Sequence, residues 1–288
     1  MEEAEPVAAA PAPVRAEKRR SGGLKWLVTG VVAVGVAVGI YFGTRGGGET
    51  VKQGAAKDRG EAKDYPAVLN TPAGTMFLVT GGKFIFGEDE AESPNKRQEV
   101  ELAPYYVDAT EVSNEQYARF VDAKGHPAPA SDSFRTSPSL PVTSVTLEDA
   151  RGYCVWAGKR LPSEQEWEKA ARGVDGRLYP WGNQPLPNPG KLVAVDDYPE
   201  RQSPFRALGM AGNAFEWTTT PFPVTEREIE DMQKALGGGA TVTREWFAIK
   251  SGSFLIKDDR FFRLYMRRGW PANQANPAIG FRCVKDAN

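Results

Sequence analysis

The sequence predicts an irregular α+β domain carried behind a single N-terminal transmembrane helix. Three observations predict it. An uncharged apolar run covers residues 26–42, three helix-capping signatures each lead to a glycine stop, and strand-like runs lie on both sides of those helices.

The elements follow in chain order. Residues 1–23 are rich in Ala, Pro and Glu and read as a disordered cytoplasmic tail. Residues 24–44 form the predicted transmembrane helix, with the apolar run "WLVTGVVAVGVAVGIYF" bracketed by Lys25 and Arg45. At roughly 1.5 Å per residue it just spans a hydrocarbon core of about 30 Å, with Trp26 and Tyr41 as interfacial rings. A cleaved signal peptide is the rival reading. The run is long for one, and "GTRGGG" after it is no small-x-small cleavage site, so a retained anchor is favoured. Arg15, Lys18, Arg19, Arg20 and Lys25 assign the N-terminus to the cytoplasm, although Arg45, Lys52, Lys57 and Arg59 weaken that bias. Gly35 and Gly39 are spaced for a helix-mediated dimer, or are simply small residues of a membrane helix. Residues 45–67 read as a flexible linker.

The folded domain is expected over residues 68–288. "MFLVTGGKFIFG" (76–87) reads as a hairpin and "QEVELAPYYVDAT" (98–110) as a half-buried strand. Ser113 with Gln116, Thr146 with Asp149, and Ser163 with Glu166 are capping boxes. Their helices are expected to stop at Gly125, Gly158 and Gly173. The predicted apolar faces run through Tyr117, Phe120 and Val121; Ala150, Tyr153, Cys154 and Ala157; and Trp167, Ala170 and Ala171. Residues 224–236 have a charged helical pattern and read as a surface insertion. "REWFAIKSGSF" and "IGFRCV" return to strand-like runs, and there is no internal repeat.

Composition excludes much chemistry. A net charge of −1 gives no reason to expect nucleic acid. The chain has 2 cysteines, Cys154 and Cys283, and 1 histidine, His126, too few for a Cys/His zinc site. His126, in the loop "GHPAPAS", reads as an ordinary exposed residue.

The phrases "VTGGKFIFG", "VDATEVSNEQYARFV", "PVTSVTLEDARGYCVWAGKRLPSEQEWEKAARG", "YPWGN", "MAGNAFEWT" and "GFRC" occur in that order. Over roughly residues 72–285 they resemble the formylglycine-generating enzyme (sulfatase-modifying factor) family. The resemblance implies an irregular C-type-lectin-like α+β fold. It covers copper oxidases that convert a sulfatase cysteine to formylglycine, histidine-rich iron sulfoxide synthases, pyoverdine-maturation proteins, and binding or structural parts of bacterial envelopes. Fold alone does not choose among them.

In the oxidases, two copper thiolates follow a Gly-Gly-Ser turn. Here the turn is Ser251-Gly252-Ser253, and the corresponding places fall at about Ile256 and Phe261, neither of which binds Cu(I). The iron route lacks its histidines. By the same resemblance Cys154 and Cys283 match a structural pair and are expected to form a disulfide. A crosslink over so long a loop is worth roughly 4–5 kcal/mol by loop entropy. It favours an oxidising compartment, hence a periplasmic domain.

The family's calcium site maps to the carbonyls of Gly212 and Ala214 and the carboxylate of Glu216, with Gly209 in place of a side-chain ligand. Two readings of Glu216 stay open: a weakened calcium ligand, or a structural acceptor for backbone amides, which is favoured. The peptide-cleft candidates are Asn213, Phe215, Trp217, Ser253, Arg263 and Arg267, which either hold a ligand or pack and pair within the core. Lys257, Asp258, Asp259 and Arg260 give a charged rim.

The expected function is a membrane-anchored, non-catalytic binding or scaffold component of the bacterial cell envelope. It sits in the inner membrane through residues 26–42 and meets a protein, peptide or glycan. The alternative is a formylglycine-type oxidoreductase with an atypical metal site.

Overall fold

The computed structural model describes residues 64–90, 93–237 and 239–287. The expected tail, the anchor with Gly35 and Gly39, and most of the linker lie outside the described residues. Among the described residues no helix is long and apolar enough to cross a membrane.

Strands β1 (Val68–Thr71) and β2 (Gly74–Val79) form a hairpin in which Thr71 Oγ1 donates to the Gly74 carbonyl at 2.8 Å. The chain then changes sheets. β3 (Gly82–Phe86) pairs with β4 (Gln98–Leu102) as a separate two-stranded ribbon, and β5 (Tyr105–Asp108) returns to pair with β2. The hairpin expected over 76–87 is therefore replaced by a crossing from one sheet to another. Both crossings happen at one place. Gly81 lies against Pro104, so closely that a Cβ there would stand 2.9 Å from the proline Cδ. Pro104, with no N–H to give a ladder, ends β4. The expected single strand over 98–110 is thus two strands. All four residues of β5 are buried, because it is a central strand covered on both faces.

Each predicted helix is present with its capping box intact. α1 (Asn114–Lys124) starts at Ser113 and ends at Gly125, and α2 (Leu147–Trp156) starts at Thr146 and ends at Ala157 and Gly158. α3 (Glu164–Arg172) starts at Ser163 and ends at Gly173. The reciprocal bonds of each box satisfy two N–H groups at the helix start, those of the N-cap and N3 residues. His126 is not the exposed loop residue expected. It is half-buried against the Phe120 ring (centroids 4.8 Å apart), and its Nε2 lies 2.8 Å from Asp149 Oδ1. That ties the end of α1 to the capping carboxylate of α2.

The second sheet holds β6 (Phe215–Pro221), β7 (Trp246–Lys250), β8 (Arg268–Pro271) and β9 (Ile279–Gly280) in the order β8-β7-β6-β9, with β6 and β9 parallel. Between β6 and β7, the charged segment forms α4 (Glu226–Ala235), capped by its own box at Thr225 and Glu228. Only Ile229 of α4 is buried, as a surface insertion requires. Finally β10 (Val284–Asp286) closes the first sheet, whose order is β1-β2-β5-β10.

The larger hydrophobic core packs α1, α2, β6, β7 and the segment around Phe281 together through Tyr117, Tyr153, Trp217 and Ile249. Cys154 of α2 and Cys283 before β10 are bonded within it, with Cα atoms 5.8 Å apart and both side chains fully buried. A second core sets Trp167, Ala170 and Ala171 of α3 against Val79, Tyr105 and Val107 of the first sheet.

The opposite face of α3 is not solvated. Glu164, Glu168, Lys169 and Arg172 are buried as well. Arg172 bonds Glu88 at 2.8 Å and Glu168 at 3.1 Å, Lys250 of β7 bonds Glu168 at 3.0 Å and Glu164 at 3.5 Å, and Arg267 bonds Glu164 at 2.9 Å. Acid and base alternate along this run, so each charge in it has an opposite neighbour, while Lys169 donates to the Gly82 carbonyl at 2.7 Å.

Candidate functional site

The stretch "SGSFLIKDDRFFR", where the oxidases hold copper, begins in a turn after β7. Ser251 adopts a left-handed conformation (φ 86°) and its hydroxyl donates to the Gly212 carbonyl at 3.0 Å, fastening this turn to the 209–213 turn. Asn188 Nδ2 donates to the carbonyls of Ser253, Phe254 and Ile256, at 2.8 Å for the last. Ile256 and Phe261 are half-buried hydrocarbon side chains, and Arg268 covers the Phe261 ring with its guanidinium carbon 4.6 Å from the centroid. A short 3₁₀ turn (Asp259–Phe262) follows, capped by Asp258, whose carboxylate also pairs with Arg260 at 2.7 Å. Lys257 and Asp259 stand exposed at the rim.

The cleft candidates are held by different partners, though the Phe254 N–H donates to the Asn213 carbonyl at 2.8 Å and so sets Ser253 beside Asn213. Trp217 is wholly buried in the larger core and its indole N–H donates to the Val145 carbonyl at 3.1 Å, so it packs inside the domain rather than lining a cleft. Phe215 begins β6 and packs against the same core. Arg267 is committed to Glu164 and to the face of Phe222, 5.1 Å away. Arg263 pairs with Glu90 and donates to Tyr265 Oη at 2.9 Å. Ser253 is buried, with a hydroxyl that has no hydrogen-bond partner among the described residues. Asn213 alone joins a different cavity, described below.

Glu216 is an acceptor, but for side chains rather than backbone amides. Its two oxygens take Arg282 Nε at 2.7 Å and Arg282 Nη2 at 2.8 Å, and Trp167 Nε1 adds a bond of 2.8 Å. The guanidinium fills the place a cation would need, and the Gly212 carbonyl already accepts from Ser251. These donors do not fit a calcium ion, which takes six to eight oxygens.

Beside this pair lies the residue that sequence reasoning missed. Glu111, just ahead of α1, is 1% exposed. Its Oε1 accepts from Asn213 Nδ2 at 3.0 Å, whereas Oε2 has no hydrogen-bond partner among the described residues. Gly209 makes room for it. A Cβ on Gly209, already at φ +70°, would fall 2.2 Å from Oε2. Gly209 was therefore the one signal in the sequence, because its departure from the family pattern marks where another carboxyl sits.

Burial pushes the Glu111 carboxyl up to about 8, with the Arg282 charge opposing the rise and the Glu216 charge adding to it. The ordinary value is 4.5. Between those values the folded chain holds a proton that the unfolded chain has released, so stability falls as pH rises through this window. Glu111→Gln removes that loss. Urea unfolding at pH 5 and pH 8 is expected to show the difference between the two pH values shrinking by roughly 2–4 kcal/mol in the variant. An unchanged difference would mean that Glu111 is ionised in the folded chain.

Glu111 lines two cavities. One, of about 240 Å³, is bounded by Thr75, Asp108, Ala109, Thr110 and Gln116. The other is bounded by Trp181, Tyr198, Arg201, Gly209 and Asn213 and has a volume of about 30 Å³. In the latter, the Arg201 guanidinium carbon lies 4.3 Å from the Tyr198 centroid and 5.7 Å from that of Trp181. Trp181 in turn stacks on Tyr179 at 5.7 Å and 6°.

The fold and the chain's phrases agree with known proteins. A family model described as a sulfatase-modifying factor enzyme 1-like domain matches residues 61–287. The inactive C-alpha-formylglycine-generating enzyme 2 of Bos taurus is 25% identical over 74% of this chain and 88% of its own length. The formylglycine-generating enzyme of Streptomyces coelicolor is 26% identical over 79% of this chain and 94% of its own. Among solved structures, PvdO from Pseudomonas aeruginosa superposes with a TM-score of 0.58 at 18% identity, over 78% of this chain and 100% of that one. A likeness so low in identity speaks for the fold only. With its family-wide match and its Cys154–Cys283 bond in place, the chain belongs to the sulfatase-modifying factor (formylglycine-generating enzyme) family.

Proposed function

We propose that this chain is a membrane-anchored, non-catalytic member of the family, serving as a binding or scaffold component of the bacterial cell envelope. Residues 26–42 hold it in the inner membrane, with the N-terminus in the cytoplasm and the domain in the periplasm. Its partner is an envelope protein, peptide or glycan.

One observation carries the reading. Both cysteines of the chain are spent in a single buried disulfide, and hydrocarbon side chains stand at Ile256 and Phe261. Cu(I) selects soft sulfur ligands, and no free thiolate is left to supply them. Among the described residues no three His, Cys, Asp or Glu side chains gather to replace them. The disulfide supports an oxidising compartment. A relative that is itself named an inactive formylglycine-generating enzyme is in keeping with this reading.

The test is peptide oxidation. The full chain in detergent is incubated with Cu(I), oxygen and a sulfatase-type Cys-x-Pro-x-Arg peptide, beside a working oxidase, and mass spectrometry reads the product. No conversion is expected. Formylglycine in the peptide would overturn the reading in favour of an oxidoreductase with an atypical metal site.

A further inference from the structure

We propose that the cavity between the 193–201 loop and the 209–213 turn takes one hydroxyl of a glycan's sugar unit onto Glu111, while the sugar ring lies outside it on Tyr198. The inference goes beyond the non-catalytic reading and does not depend on it.

The walls are built for stacking. Tyr179, Trp181, Arg201 and Tyr198 form a ladder of rings and guanidinium, so the Tyr198 ring is backed by charge on one face and is 36% exposed. Tyr198 holds a left-handed backbone (φ 60°), rare for a large side chain, and so does Asn213 (φ 58°) across the cavity. For Tyr198 that conformation stores strain of the kind that concentrates at binding sites, whereas Asn adopts it readily. An exposed, rigidly held aromatic face suits the apolar face of a pyranose ring.

The floor selects the polar group. Among the described residues Glu111 Oε2 is buried with no hydrogen-bond partner and lines the cavity, and Arg201 Nε is buried with no hydrogen-bond partner, 3.7 Å from Glu200 Oε1. Asn213 is spent on Glu111 and Val193, so it orients the carboxyl rather than the ligand. The whole cavity, of about 30 Å³, admits a hydroxyl and no larger group, so the rest of the sugar lies outside it against the exposed Tyr198. A hydroxyl both donates and accepts, so it pairs with Glu111 whether that group carries its proton or not. A carboxylate or phosphate would meet Glu111 and the nearby Asp197 and would have to be desolvated in a cleft too small for it.

The full chain, in a non-glycosidic detergent, is examined by saturation-transfer NMR. The probes are methyl β-D-glucopyranoside, methyl α-D-mannopyranoside and tri-N-acetylchitotriose. Transfer to ring protons of at least one probe is expected. Tyr198→Ala, a change at the surface, is expected to weaken that binding about tenfold, the size of one lost stacking contact. Glu111→Leu is expected to abolish it, and should that variant fail to fold, Tyr198→Ala still decides. Silence from all three probes, or transfer undiminished in Tyr198→Ala, overturns the proposal. Formylglycine production in the oxidation assay would sink the non-catalytic reading and leave this one standing.

Discussion

Arg282→Met is expected to lower the melting temperature of the domain by about 6–20 °C, for a loss of about 3–5 kcal/mol. Arg282 is fully buried. It gives two bonds to Glu216 and further ones to the Leu208 carbonyl at 2.7 Å and the Asp108 carbonyl at 3.3 Å. Removing it strands the Glu216 charge in the interior beside Glu111, with only the Trp167 indole to answer it. The cost is that of an unpaired buried charge, not of the pair itself, which against a hydrophobic replacement comes near to breaking even. The double variant Arg282→Met, Glu216→Met is therefore expected to recover much of the loss. Thermal unfolding of the two variants checks both statements. A single variant within 2 °C of the parent, or a double variant worse than the single, would remove the pair from any structural role.

The second large effect belongs to the disulfide. Cys154 and Cys283 are separated by 129 residues, so breaking the bond frees a long loop in the unfolded chain. The loop-entropy relation puts this at about 5 kcal/mol, equivalent to a fall of roughly 10–20 °C in melting temperature. Cys154→Ser with Cys283→Ser, compared by urea unfolding with the oxidised parent, measures it. A loss under about 1 kcal/mol would show that the unfolded chain keeps these segments together without the bond. Non-reducing and reducing peptide maps of the parent confirm which form is under study.

The capping boxes were legible because each is settled within four residues, by a hydroxyl and a carboxylate or amide that answer each other's backbone. The same local chemistry at Thr225 and Glu228 starts α4, which its charged pattern had already marked as helical. The misread hairpin is the opposite case. Whether Gly81-Gly82 folds β3 back onto β2 depends on β5, which arrives later in the chain and takes that edge of β2. No short window contains that competition. Burial of the polar side of α3 was not legible for a related reason: Glu164, Glu168 and Arg172 find their partners only when Glu88, Lys250 and Arg267 are set beside them. The candidate site residues were taken from the family phrases, and position in a phrase did not distinguish Trp217, which packs, from Asn213, which faces a cavity.

The alternating run of Glu88, Arg172, Glu168, Lys250, Glu164 and Arg267 has a kinetic consequence. Its members come from the ribbon, α3, β7 and the segment ahead of β8, which lie far apart in the chain. If α3 docked on the first sheet before β7 arrived, Glu164 and Glu168 would lose water without gaining Lys250. Such half-assembled species carry unpaired charge in a drying interior and stand high in free energy. A folding route in which β7 reaches α3 together with the first sheet avoids that cost.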